Sequence, residues 1–134
     1  MRQGVSSMTA ALFAPLAGHQ YMNLTTFRKN GQPVPTPVWF AQDGDRIYVV
    51  TQAASGKIKR IRANPRVQLT PSDARGKPLG TTIEAQARIL DPSEGEAARR
   101  ALAQKYGVMF QMFAALWKLQ RATPVFLEIT PVTV

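Results

Sequence analysis

The sequence predicts a mainly β protein: a small six-stranded antiparallel barrel with helices at its periphery. Three observations support that class. An Asn30-Gly31 pair separates two runs rich in β-branched and aromatic residues, "YMNLTTFR" and "PVPTPVWFA", a strong hairpin signal because such a turn takes positive φ at both central residues. "TTIEAQARIL" alternates with period two, placing Ile83, Ala85, Ala87 and Ile89 on one face and Thr82, Glu84, Gln86 and Arg88 on the other, as a half-buried strand does. The remaining strand-like runs are short and joined mostly by tight turns.

Taken in order, residues 9–19 suggest a short helix around "ALFAPLAG" with Gly18 as its stop. "YMNLTTFR", "PVPTPVWFA" and "RIYVVT" then read as a three-stranded antiparallel meander over residues 21–51, with turns at "KNGQ" and "QDGD". Ser55 is placed to cap a helix of about two turns. Ile58 and Ile61, three apart, face inward from it, and Asn64-Pro65 ends it. "RVQLTP" returns to strand, "SDARGKP" makes a loop, and the alternating strand follows. Ser93 and Glu96 form a capping-box pattern ahead of a helix through "AARRALAQKYG", which Gly107 can end. "VMFQMFAALWKLQ" carries Met109, Met112, Phe113 and Leu116 at helical spacing, with Phe110 and Trp117 widening the stripe. That stripe reads as core, with a pocket lid or a dimer face as the alternatives. "TPVFLEITPV" closes the set as a strand.

A chain of 134 residues suits a single domain over residues 1–134, with residues 1–19 a loosely packed N-terminal segment. No run approaches the roughly 20 apolar residues of a membrane span, so no membrane insertion is expected. Near the N-terminus Pro15 interrupts the apolar patch and "GHQYMN" is a poor cleavage context, which argues against a secretory signal. The absence of cysteine removes disulfides, thiol nucleophiles and Cys-based zinc sites, and is compatible with a cytoplasmic location. With His19 as the single histidine, no His-based metal cluster can form, and none of the Walker, G-x-G-x-x-G or G-x-S-x-G motifs is present. No metal site is expected, and His19 reads as a surface or capping residue. An enzyme built from these residues would take its reactive group from a cofactor.

Seventeen Lys and Arg against eight Asp and Glu give a net charge of +9, which favours anionic partners. The cations concentrate in "SGKIKRIRANPRV". A strand end at Thr51, a Ser55-Gly56 turn and a helix N-terminus bring hydroxyls, backbone N–H groups and the positive end of a helix dipole together. Lys57 and Arg60 lie three apart on one face and can both reach an anion there, while Lys59 projects elsewhere. A solvated basic helix explains the same spacing, so both readings stand. Proline at positions 33, 35 and 37 withdraws ladder donors from one strand. This either leaves the backbone of Thr36, Val38 and Trp39 to meet a planar heterocycle or protects a sheet edge from aggregation.

The order "LTTFRKNGQPVPTPVWF", "DGDRIYVVTQAASGKIKRIRANPRVQL", "DARGKPLG" and a late "KYG" resembles the split β-barrel flavin and deazaflavin binders related to pyridoxamine phosphate oxidases. The likeness covers about residues 20–131 and is greatest to the branch using the deazaflavin coenzyme F-420. It implies a homodimer with cofactor between subunits, the phosphate near Ser55, Lys57 and Arg60, and the ring against the strand from Thr36 to Trp39. Carried onto this sequence, the implied cofactor contacts are Thr36, Pro37, Val38, Trp39, Thr51, Gln52, Ser55, Gly56, Lys57, Lys59 and Arg60. The implied activity is hydride transfer from coenzyme F-420 to a conjugated or unsaturated organic substrate. An FMN-dependent enzyme and a cofactor carrier without turnover are the alternatives within the fold. Tyr48 and Tyr106 are open as proton donors, with no catalytic side chain assigned. The sequence departs from the pyridoxamine phosphate oxidases proper in ending at "FLEITPVTV" without their arginine-rich segment, so their vitamin-oxidase activity is not expected. From a different class, a nucleic-acid-binding barrel would suit the charge. It would need aromatics on an exposed strand face, whereas Trp39 and Phe40 point to opposite faces.

Overall fold

The computed structural model describes residues 11–132; the sequence-based readings for residues 1–10 lie outside them. Seven strands form one antiparallel sheet: β1 Tyr21–Phe27, β2 Pro33–Trp39, β3 Ala41–Asp43, β4 Arg46–Gln52, β5 Arg66–Ser72, β6 Ile83–Ile89 and β7 Pro124–Pro131. Their order across the sheet is β2-β1-β5-β6-β7-β4-β3. The two edge strands are therefore consecutive in the chain and joined through Phe40 alone, so the sheet coils until its edges meet there. This is a barrel with a seam.

The seam corrects the expected strand count and the expected meander. "PVPTPVWFA" is two strands, because the backbone of Phe40 leaves the ladder: its N–H donates to the Tyr106 hydroxyl at 3.0 Å, and its carbonyl accepts from Lys105 Nζ at 2.7 Å. β2 pairs with β1, whereas β3 pairs with β4.

The turns follow from the glycines. At "RKNG" only Gly31 has positive φ, 86°, and its N–H donates to the Arg28 carbonyl. The connection is thus a turn followed by a left-handed glycine rather than the expected pair of positive-φ residues. Gly44, φ 63°, takes the first central position of the β3–β4 hairpin, where a mirror-image turn favours glycine.

Inside the barrel, Met22, Leu24, Ile47, Val49, Val67, Leu69, Ala85, Ala87, Leu127 and Ile129 form the main core. The inward set expected for β6 is realised, with Glu84, Gln86 and Arg88 exposed. Helix α1, Gly56–Ala63, adds Ile58 and Ile61 to this core, each contributing about 1.5–3 kcal/mol by burial. A 3-10 helix at Ala11–Leu16 adds Phe13 and Leu16, both buried. This part of the N-terminal segment is therefore packed rather than loose. His19 is half-buried.

A second core covers the outside of the sheet. Helix α2, Glu96–Tyr106, lays Ala98, Leu102 and Tyr106 against Ala41, Tyr48 and Phe126. The expected capping box lies two residues earlier and serves a single 3-10 turn at Pro92–Glu94. There Asp91 accepts from the Ser93 N–H, and Glu94 accepts from the Asp91 N–H. Pro92 decides between the overlapping patterns, since proline favours the first helical position. Gly107, φ 56° and ψ −126°, ends α2, and α3, Val108–Leu119, begins at once.

Helix α3 departs from expectation most. Of its residues only Phe110 is buried, while Val108 is 73% and Leu119 82% exposed. Met109, Met112, Phe113 and Leu116 are exposed as well, so the stripe is not this chain's core. Among the described residues no helix is long and apolar enough to cross a membrane.

Candidate functional site

A cavity of about 760 Å³ opens between the outer face of the barrel and helix α3, within the range of small-molecule pockets, roughly 300–1,000 Å³. Its strand wall comes from Pro37, Val38 and Trp39 of β2 and Val50, Thr51 and Gln52 of β4. The turn into α1 supplies Ser55 and Lys57. The helical wall comes from Arg99 of α2 and from Phe110, Phe113, Ala114, Trp117 and Lys118 of α3. Tyr21, Ala122, Pro124 and Phe126 complete it. No carboxylate is among the lining residues.

Of the residues implied by the resemblance, the structure gathers Pro37, Val38, Trp39, Thr51, Gln52, Ser55 and Lys57 around this one cavity. Thr36, Gly56, Lys59 and Arg60 do not line it. Thr36 is half-buried on β2, one residue before the lining stretch begins, and Lys59 is exposed on α1. Arg60 folds back instead of extending with Lys57: its Nε donates to Thr26 Oγ1 at 2.6 Å. Its guanidinium lies 2.7 Å from where a Cβ on Gly56 would stand, so the glycine leaves room for the arginine to cross the turn.

The turn itself is open to an anion. Ser55 occupies the N-cap position of α1, yet its side chain makes no capping bond; Thr51 Oγ1 donates to Ser55 Oγ at 3.2 Å instead. The first-turn N–H groups therefore receive no side-chain cap, and they add to the positive end of the helix dipole. Burial, reinforced by the neighbouring Arg60 charge, lowers the pKa of Lys57 from its ordinary value, so a negative group arriving there would meet a partly desolvated ammonium.

Trp39 is held from both sides. Its ring stacks on Tyr106 with centroids 4.2 Å apart and planes 3° from parallel, and meets Phe113 edge-on at 4.5 Å. The Tyr106 hydroxyl accepts from the Phe40 N–H and donates to the Gln20 carbonyl at 2.7 Å, with the Phe40 carbonyl also in range at 2.9 Å. Burial pushes its pKa up to about 12. Tyr106 thus fastens the seam and sets Trp39. Neither it nor Tyr48 lines the cavity, so Tyr21 is the one tyrosine presented there.

The sequence missed Tyr21, Arg99, Lys118 and Phe126 as wall residues, whereas Phe110, Phe113 and Trp117 entered through the pocket-lid alternative for the stripe. The one signal was that "VMFQMFAALWKL" is apolar around nearly its whole circumference, wider than a single core-facing stripe requires.

A family model described as pyridoxamine 5'-phosphate oxidase matches residues 8–134. The chain belongs to this family. Solved structures share the family fold at low identity. The heme storage protein HutZ from Vibrio cholerae has a TM-score of 0.66 and 16% identity over 92% of this chain and 89% of that one. A FAD-binding protein from Mesorhizobium loti has a TM-score of 0.66 and 18% identity, covering 92% and 87%. An F-420 reductase has a TM-score of 0.58 and 21% identity, covering 90% and 93%. A search of curated proteins gave no significant match.

Proposed function

We propose that this family member is an oxidoreductase that uses the deazaflavin coenzyme F-420 to pass a hydride to a conjugated or unsaturated organic substrate, working as a homodimer. The observation carrying this reading is the convergence of Trp39 and Val38 with the Thr51, Ser55 and Lys57 cluster on one cavity free of carboxylates. A flat ring with a phosphate fits that combination. The ring would lie against β2, and the phosphate at the uncapped turn into α1, close to Lys57. Thr51 and Gln52 would supply hydrogen bonds at the strand end. Arg60, tied to Thr26, would act on the anion through its charge across the turn rather than as a direct ligand.

When bound, the coenzyme supplies the hydride. The chain's own residues bind and orient the two reactants, a contribution of positioning rather than of side-chain chemistry. The exposed apolar residues of α3 that lie outside the cavity, Met109, Met112, Leu116 and Leu119, are the surface through which a second copy would pack.

A side-by-side fluorescence titration with F-420 and FMN tests the reading. Tighter binding of F-420 is the expected result. Equal or tighter FMN binding would assign the cavity to an FMN-dependent enzyme of the same fold, a reading favoured by the similarity to a FAD-binding protein. Binding without oxidation of reduced cofactor across a broad substrate panel would indicate a carrier.

A further inference from the structure

We infer that the helical wall of the cavity is a second anion-reading subsite, separate from the turn at Ser55 and Lys57, for an apolar aromatic compound with one negative charge such as an aryl carboxylate. We assign this compound as the second reactant of the proposed reaction, a role that rests on the proposed function; as a binding site the subsite stands alone.

The apolar part of the subsite comes from Phe110, Phe113 and Trp117 on α3 and Phe126 on β7. Phe113 is set against the fixed ring of Trp39, so this surface is already arranged for a flat guest. The charge comes from two elements. Arg99 on α2 places its guanidinium 5.3 Å from the centroid of the Phe126 ring, and Lys118 enters from the last turn of α3. The dipole at the C-terminus of α3 accounts for a lysine at position 118, while Arg99 is an exposed residue of α2 held at the cavity by its contact with Phe126.

The neighbouring Arg100 pairs with Glu96 at 3.9 Å. Arg99 and Lys118, by contrast, have no carboxylate partner among the described residues. Cations thus stand on both walls with no acidic residue among the lining. A phosphate held at the turn would engage Lys57 and leave the helical pair to meet another acidic group, and a guest that is both aromatic and anionic matches what that wall offers.

Two fluorescent probes sharing one aromatic frame test the inference: anilinonaphthalene sulfonate, which is anionic, and neutral phenylnaphthylamine. The sulfonate should bind more tightly than the neutral probe. The Arg99→Gln/Lys118→Gln double variant should weaken the sulfonate about fivefold, the loss of two exposed charge contacts, while leaving the neutral probe's affinity within about twofold. The unchanged neutral probe would show that the wall is intact. Equal loss for both probes, or no loss for the sulfonate, would overturn the inference. A comparable sulfonate loss in Lys57→Gln would also overturn it, by placing the anion at the turn. None of these readouts needs cofactor, so failure of F-420 and FMN to bind would count against the proposed function without touching this result.

Discussion

Tyr106→Phe removes one oxygen from the seam and leaves the ring that stacks on Trp39. The oxygen accepts from the buried Phe40 N–H and donates to the Gln20 carbonyl. Phe40 is 2% exposed and Tyr106 6%, so water cannot replace the acceptor without local opening. Leaving a buried donor unsatisfied costs about 1–3 kcal/mol, and a lost ordinary hydrogen bond about 0.5–1.5 kcal/mol. The Phe40 carbonyl keeps its bond from Lys105 Nζ, which limits the damage. The expected loss is about 2–3 kcal/mol, or a fall in Tm of roughly 6–12 °C for a chain of this size. Urea unfolding followed by tryptophan emission measures it and also reports on Trp39. A loss below about 0.5 kcal/mol, the level of an ordinary surface change, would refute the idea that this hydroxyl holds the seam.

Stability should also follow a particular pH course. Burial lowers the pKa of Lys105 to about 8, so above that value the unfolded chain holds more protons than the folded one and stability rises with pH toward the ordinary lysine range. Lys57 shifts in the same direction. Tyr106, raised to about 12, acts oppositely: the folded chain holds the extra proton above pH ~10, and stability falls from there. Denaturation across pH 7 to 11.5 should therefore give a maximum, and Lys105→Met should flatten its rising side. Leu16→Ala should cost about 2–5 kcal/mol in the same unfolding assay if the 3-10 helix belongs to the core, whereas a loose segment would show almost none. A Met112→Glu/Leu116→Glu pair should reduce the mass in solution from dimer to monomer with folding intact; an unchanged dimer would exclude α3 as the contact.

What the sequence revealed was local. The inward set of β6 and the Ile58 and Ile61 pair were legible because each follows from a period within one element. The break at Phe40 was not, because its partners Lys105 and Tyr106 come from α2, far along the chain. "KYG" was visible as a motif, but its task of closing the seam depends on tertiary placement. The capping box was misplaced because "DPSEGE" contains two overlapping capping patterns, and the proline decides between them. Lys57 and Arg60 share a helical face by spacing, yet Thr26 on β1 draws Arg60 away. For α3 the apolar pattern showed that something covers the helix and could not say what. The strand wall of the cavity was readable from the likeness to known binders, while the helical wall required knowing that α3 folds back over β2 and β4.

The most direct measurement compares Lys57→Ala with Lys59→Ala in cofactor titrations. These lysines share one helix and one formal charge, but only Lys57 lines the cavity. If the turn holds a cofactor phosphate, Lys57→Ala should weaken binding about tenfold or more, the loss of a charge-assisted hydrogen bond, while Lys59→Ala stays within about twofold. Equal effects from the two substitutions, or no binding of F-420 or FMN by the parent protein, would contradict it.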